Sequence, residues 1–463
     1  VTERLCAAVP RLMIAAPSSG SGKTLLTCAL LRLLQQMQVH VQAFKCGPDY
    51  IDPLFHRQVL GLPSVNLDTF FTGRELTKAL FAEHAAGTGL CIIEGVMGYF
   101  DGLGSVAPAG SSADLADVLE SPVVLVVSAE GMGRSVAALV KGFCDYEAHA
   151  HIRGVILNKV SPSVYPKLKE AIEAAAPVRV LGYLPRRPEF AWESRHLGLL
   201  LPGEIAAFRQ QLDAAAAALR ESLDVPALLE LAGAAPALHA TTPEEAAGIH
   251  AAEKSFRVGY AQDEAFCFYY EDNLRLLAKL GARLQPFSPL HDRVLPPLDG
   301  VLFGGGYPEL HAPALSANAA FRESVRSAIA KGLPVLAECG GFMYLQQSLC
   351  GKDGAVWDMV GAIPGRSSYT SSLVRFGYAE FSGQAFGSGK RISIRGHEFH
   401  YFDSTENGSS FTACKPLGGR TWQCMCGGRT MLAGFPHLYY YSAPGLAQAF
   451  ARSCCAYARQ GGN

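Results

Sequence analysis

Residues 12–24 read Leu-Met-Ile-Ala-Ala-Pro-Ser-Ser-Gly-Ser-Gly-Lys-Thr: an apolar stretch, a loop of small residues, and a Gly-Lys-Thr opening a run of helix formers to Leu34. No other stretch constrains the fold as strongly. A strand that enters a helix through Ser19, Gly20, Ser21 and Gly22 turns backbone N–H groups and the positive helix end toward one spot, which suits a phosphate group. Lys23 then reaches the terminal phosphates of a nucleotide, and the Thr24 hydroxyl is placed to hold the metal ion. The usual phosphate-loop pattern has a glycine where this chain has Pro17. A chance Gly/Ser turn is the competing reading, and the flanking strand and helix favour the phosphate loop.

The chain then alternates apolar runs with helical stretches. Val39–Lys45, Leu90–Ile93, Pro122–Val127, Val155–Val160 and Val180–Pro185 read as strands, a rhythm that predicts a doubly wound α/β domain. Two strand tips carry acids, Asp49 and Asp52 in Cys46–Pro53, then Glu94 and Asp101 in Glu94–Gly102. Ligands bind at that edge of a parallel sheet, and acids there suit magnesium coordination or water positioning. The plainer alternatives are that Asp49 and Asp52 cap a helix, and that Glu94 and Asp101 are ordinary loop acids. Asn158 and Lys159 end a strand where a nucleotide base would lie. Residues 206–240 are Ala- and Leu-rich and read as helix. The expected division is a first domain over 1–235, a linker over 236–255 and a second domain over 256–463.

A second alternation begins at Phe256–Ala261. The strand Gly300–Phe303 runs into Gly304, Gly305 and Gly306, where free N–H groups suit an oxyanion hole; a flexible turn is the alternative. Leu333–Ala337 leads into Glu338-Cys339-Gly340-Gly341, which resembles a nucleophile elbow. A helix N-terminus there is expected to lower the thiol pKa. His397, His400 and His437 are the bases within the C-terminal part. Gly396-His397-Glu398-Phe399-His400 lacks the spacing of a zinc-protease helix and reads as a strand. His437 follows a short apolar strand and is the expected base, with a buried structural histidine as its alternative. The Cys424/Cys426 and Cys454/Cys455 pairs have no zinc half-site spacing and read as structural.

A net charge of −1 excludes a global basic field for nucleic acid or anionic membrane. No apolar run approaches the roughly 20 residues that span a bilayer. The first apolar run leads into the phosphate loop, so no signal peptide is expected. Thirteen scattered cysteines suit reduced thiols, and the expected location is cytoplasmic.

Six stretches in this order resemble the cobyrinic acid a,c-diamide synthase family: Ser18–Thr24, Lys45–Pro53 (KCGPDYIDP), Glu94–Gly102 (EGVMGYFDG), Phe303–Leu310 (FGGGYPEL), Ala337–Tyr344 (AECGGFMY) and Gly396–Tyr401 (GHEFHY). The family's phosphate loop also lacks the first glycine. The resemblance implies two doubly wound α/β domains. The N-terminal one is a dethiobiotin-synthetase-like P-loop amidoligase, the C-terminal one similar to class I glutamine amidotransferases. It implies that Cys339 attacks glutamine, His437 moves the proton, and Gly305 and Gly306 form the oxyanion hole. Many class I enzymes carry a glutamate two residues after the histidine. Here that residue is Tyr439, which favours a Cys-His dyad. In the N-terminal domain, ATP and Mg²⁺ would activate a carboxylate as an acyl phosphate. Thr24, Asp52, Glu94 and Asp101 are the expected metal or phosphate-positioning residues, and Asp49, Tyr50 and Ile51 the expected substrate contacts. The implied partners are L-glutamine and a corrinoid polycarboxylate, with a homodimer allowed. Hydrogenobyrinic acid and nickel sirohydrochlorin are alternative substrates. A partition-type ATPase switch is the alternative from another class, which the Cys339 elbow disfavours.

Overall fold

The computed structural model describes residues 4–190, 202–241 and 255–461. The chain divides into two compact units, Val1–Ala247 and Gly248–Asn463, each built around its own apolar core.

In the first unit seven strands form a parallel sheet. Their spatial order is Ser64–Leu67, Val41–Cys46, Leu90–Glu94, Arg11–Ala15, Val123–Ser128, Ile152–Asn158, Arg179–Leu184. Arg11–Ala15, Val41–Cys46 and Leu90–Glu94 are buried at every position, as a parallel sheet covered on both faces requires. From Arg11–Ala15 the chain builds outward on one side, returns to Leu90–Glu94, then builds the other side. The topological switch therefore lies at the C-terminal end of Arg11–Ala15, where such sheets bind ligands. The register sets Glu94 opposite both Ile14 and Lys45, so the acidic tip sits beside the phosphate loop.

The residues expected as one helical stretch over 206–240 form two helices, Pro202–Ser222 and Val225–Gly233. The break falls at Asp224, whose carboxylate caps the second helix by accepting from Ala227 N at 3.0 Å. Within the expected linker, Leu238–Thr241 is a strand paired antiparallel with Arg4–Ala7; residues 242–254 of that linker lie outside the described residues.

The second unit carries a six-stranded sheet in the order Ala282–Phe287, Phe256–Ala261, Gly300–Phe303, Val335–Glu338, Met431–Gly434, Cys426–Gly427, parallel except at the last edge. Between Val335–Glu338 and Met431–Gly434 the chain inserts antiparallel strands. Four of them join His437–Leu438, which follows Met431–Gly434, in a sheet ordered Thr421–Cys424, Phe411–Cys414, Arg375–Gly383, Ile392–His400, His437–Leu438 that the sequence does not announce as a whole. Ile392–His400 contains the Gly-His-Glu-Phe-His stretch as a strand, as its sequence suggested. Among the described residues no helix is long and apolar enough to cross a membrane.

Candidate active sites

In the first unit, Gly22 has a φ of 86° just before the helix Lys23–Gln36. A Cβ there would lie 2.1 Å from Asn158 Nδ2, so position 22 needs glycine twice over. Asn158, expected near a base, donates from Nδ2 to Ser21 O at 2.9 Å and braces the loop. Lys23 Nζ donates to Met97 O at 2.9 Å. Burial and the charge of Lys45 lower the Lys23 pKa to about 8.

Thr24 Oγ1 donates to Glu94 Oε1 at 2.8 Å, joining the loop to the acidic tip. Lys45, absent from the expected site, is buried at its centre. Its ammonium bonds Asp52 and lies 3.4 Å from Glu94 Oε1 and 3.5 Å from Asp49 Oδ2. Burial works against that charge, but the three carboxylates outweigh it and hold Lys45 protonated. Burial also pushes the Glu94 carboxyl upward, but Lys45 and His56 prevail and hold it below the usual carboxylate range. Burial, Asp49 and Glu94 raise Asp52 above that range against the pull of Lys45. His56 Nε2 faces Glu94 Oε2 at 3.4 Å, and its Nδ1 meets Ser64 Oγ at 3.0 Å.

Asp49 Oδ1 accepts from Ile51 N at 2.8 Å and from Asp52 N at 3.3 Å, so it does cap the helix Ile51–Leu60 while Oδ2 faces Lys45. Tyr50 is buried and Ile51 half-buried at that helix start. Asp101 is engaged elsewhere: its Oδ2 accepts from Gly98 N at 2.9 Å. A Cβ on Gly98 would sit 2.6 Å from Pro17 O, so the Asp101 turn packs against the loop at Pro17. Thr24, Asp52 and Glu94 thus share one cluster, and Asp101 sits on a neighbouring turn.

The oxygen donors of Thr24 and Glu94 are hard ligands that fit Mg²⁺, and Glu94 Oε2 makes no hydrogen bond. Asp52 is committed to Lys45. Among the described residues no three His, Cys, Asp or Glu side chains are grouped to hold a metal.

In the second unit, Val335–Glu338 is buried throughout and turns at Cys339, φ 47°, into the helix Gly340–Leu345. A left-handed φ at a non-glycine residue is strained and typical of a nucleophile elbow. Close approach demands the two glycines that follow: a Cβ on Gly341 would lie 2.1 Å from Phe303 O, and one on Gly340 3.2 Å from Gly306 N. The Cys339 thiol does not have the lowered pKa expected of it. Burial first, then Glu309, push it up to about 12, against the Gly340 N–H. A six-residue helix is too weak to offset that desolvation.

Parallel pairing sets Glu338 opposite Gly434, and Cys339 N donates to Gly434 O at 2.8 Å. The strand that ends there continues three residues to His437. Burial, then the neighbouring His397 and His400, lower the His437 pKa well below its ordinary value, so its imidazole is neutral. The ring stacks on His397 with centroids 4.9 Å apart. Its Cε1 is 2.5 Å from where a Gly305 Cβ would be, which places the glycine loop against the base. Gly305 and Gly306 pair with Phe268 and Phe266, which fixes the loop.

Tyr439 donates to Asp272 Oδ2 at 2.8 Å. The carboxylate beside His437 belongs instead to Glu338, whose Oε2 is 3.9 Å from Nδ1 and whose Oε1 accepts from Tyr440 OH at 3.3 Å. Burial pushes the Glu338 carboxyl up to about 8 against bonds from Leu438 and Tyr440. A folded-state pKa above the unfolded one means stability is fullest below the ordinary carboxylate range and falls as pH rises to about 8. The melting temperature of the native chain is expected to drop more steeply from about pH 5 to about pH 8 than that of Glu338→Gln. Parallel curves in thermal unfolding would show that Glu338 does not carry this dependence.

The fold and sites define a nucleotide-binding unit joined to a glutamine amidotransferase unit. Residues 12–200 match the CobQ/CobB/MinD/ParA nucleotide binding domain, and residues 257–433 the CobB/CobQ-like glutamine amidotransferase domain, a match that ends before His437. The chain is 39% identical to the cobyrinate a,c-diamide synthase of Caldanaerobacter subterraneus, covering 97% of this chain and 99% of that one. It is 38% identical to the enzyme of that name from Listeria innocua, covering 94% and 97%. Against that of Salmonella typhimurium it is 39% identical, covering 94% and 96%. The chain belongs to the cobyrinate a,c-diamide synthase family. It is therefore a ligase that forms carbon–nitrogen bonds with glutamine as the nitrogen donor.

Proposed function

We propose that the chain amidates the a- and c-side-chain carboxylates of cobyrinic acid, a step of cobalamin biosynthesis, with ATP activating each carboxylate. The observation that carries the reading is a strained cysteine elbow on the strand register that leads to a neutral imidazole, in one chain with a phosphate loop bonded to an acidic strand tip. Cys339 passes its proton to His437 as sulfur attacks the glutamine side-chain amide. Gly305 and Gly306 N–H groups receive the oxyanion. His437 returns the proton to the leaving ammonia, and water releases glutamate from the thioester.

In the first unit, a substrate carboxylate attacks the terminal phosphorus of ATP and releases ADP. Ammonia then displaces phosphate from the acyl phosphate. Lys23 and the backbone of Ser19, Gly20, Ser21 and Gly22 hold the phosphates. Thr24 and Glu94 would hold Mg²⁺, which neutralises phosphate charge during transfer. Lys45 fixes Asp52 and Glu94, and Asp101 holds the turn against the loop. Asp49, Tyr50 and Ile51 face the macrocycle and select its carboxylates.

The test is incubation with glutamine, ATP and cobyrinic acid. Two carboxyl-to-amide conversions by product mass are expected, with ADP and glutamate released in step. Amidation of hydrogenobyrinic acid or nickel sirohydrochlorin in its place would overturn the substrate assignment. ATP hydrolysis with no glutamate release would leave the switch reading standing instead.

A further inference from the structure

Glu338 is a buried carboxyl with no part in the steps above. It ends the strand Val335–Glu338, one residue before the Cys339 elbow, and is 5% exposed. Leu438 N and Tyr440 OH both donate to its Oε1, at 3.4 and 3.3 Å. Its Oε2 is the oxygen that faces His437 Nδ1, at 3.9 Å. On the segment after the base, Tyr439 is bound to Asp272. The carboxylate thus reaches the imidazole from the strand that carries the nucleophile.

The His437 ring is already fixed in other respects. His397 lies directly across from it in antiparallel pairing and stacks on its face, with Tyr270 OH 3.1 Å from His397 Nδ1. Gly305 packs against its Cε1 edge. Packing does not set which ring nitrogen holds the proton. A neutral imidazole has one donor and one acceptor nitrogen, and the group that faces Nδ1 decides between them. An ionised carboxylate only accepts, so it keeps the proton on Nδ1 and leaves Nε2 bare for the thiol proton. A protonated carboxyl donates toward Nδ1 and puts the ring proton on Nε2, where it blocks the base. The carboxylate also faces the positive charge that the ring gains as Cys339 gives up its proton. A contact of 3.9 Å is about 1 Å longer than a hydrogen bond, and catalytic contacts are often long before substrate binds.

We propose that Glu338 is the positioning residue of His437: ionised, it selects the Nδ1–H tautomer and so makes Nε2 the base for Cys339. This assignment rests on the glutaminase reading above. Glu338 acts through the base and not on glutamine, so its loss is felt in kcat rather than in KM.

The pH profile tests the same assignment. Burial pushes the Glu338 carboxyl up to about 8, so kcat/KM for glutamine hydrolysis is expected to rise as pH passes through that value. Burial keeps the facing Tyr269 and Tyr440 hydroxyls protonated and holds the Cys339 thiol up to about 12. His437, with His397 and His400 beside it, is kept neutral by burial. Glu309, whose charge is felt at the thiol, is raised by burial to about 7 and is the competing carboxyl.

Glutamate release by the full chain is to be measured across this pH range. Glu338→Gln is expected to lower kcat about 10²- to 10⁴-fold, to change KM for L-glutamine less than about threefold, and to remove the rise in the profile. Tyr440→Phe removes a donor to the carboxylate and is expected to move the rise to higher pH. A native kcat in Glu338→Gln would overturn the assignment. So would a rise that survives in that variant, which would give the titration to Glu309. If Glu338→Gln does not fold, shown by loss of ammonium-dependent amidation as well, Tyr440→Phe decides alone, and an unmoved rise there would overturn the proposal. Glutamate release surviving in Cys339→Ala would strike the glutaminase reading itself.

Discussion

Cys339→Ala is expected to abolish glutamine-dependent amidation, by about 10⁴-fold or more, and to leave ammonium-dependent amidation within about twofold of the native rate. Cys339 is the residue whose left-handed φ of 47° holds the thiol at the end of a buried strand. It belongs to the second unit and the phosphate loop to the first, so under the proposed function a supply of ammonia should make its loss irrelevant to the first unit. The thiol, held up to about 12, gives little standing thiolate. Proton transfer to neutral His437 must accompany attack, so His437→Ala should show the same split between donors. The measurement is the rate of amide formation with glutamine and with high ammonium at fixed ATP. Equal losses with both donors would refute the division of labour between the units.

The parts of each site that were legible in the sequence are those whose chemistry lies in consecutive residues. The Gly22-Lys23-Thr24 loop and the Cys339-Gly340-Gly341 elbow both require small residues at adjacent positions, because backbone must approach backbone or a ligand there. What depends on register was not legible. Lys45 reads as the last charge of a strand until parallel pairing sets it opposite Glu94, and only then is it the buried cation of three carboxylates. Glu338 reads as a neighbour of the nucleophile until the strand Met431–Gly434 brings His437 beside it. The wrong expectation for the Cys339 thiol has the same origin. A helix N-terminus is a local signal, whereas burial is a sum over the whole core. Of the antiparallel strands between Val335–Glu338 and Met431–Gly434 only the Gly396–His400 stretch was legible, because the others interrupt the strand–helix rhythm by which the rest of the unit reads.

Lys23→Ala should remove amidation with either nitrogen donor while glutaminase activity persists. The position of Lys23 gives the reason. Its ammonium rests on Met97 O beside the loop, and Lys45, the other cation nearby, is committed to Asp52, Glu94 and Asp49. Turning Lys45 to the phosphates would break its bond to buried Asp52 and remove the cation beside Glu94, a change that costs several kcal/mol. Losing Lys23 thus removes the loop's own cation, and an effect of about 10²- to 10³-fold on kcat/KM for ATP follows from the usual worth of such a contact in phosphoryl transfer. The pH dependence gives an independent check. With its pKa lowered to about 8 in the free enzyme, Lys23 loses its proton as pH rises above that value. KM for ATP should accordingly rise above about pH 8, and Lys23→Arg, which stays charged, should flatten that limb even where its poorer fit lowers the rate. ATP turnover undiminished in Lys23→Ala, or a KM for ATP that ignores pH across this range, would rule out the phosphate-binding role of the loop lysine.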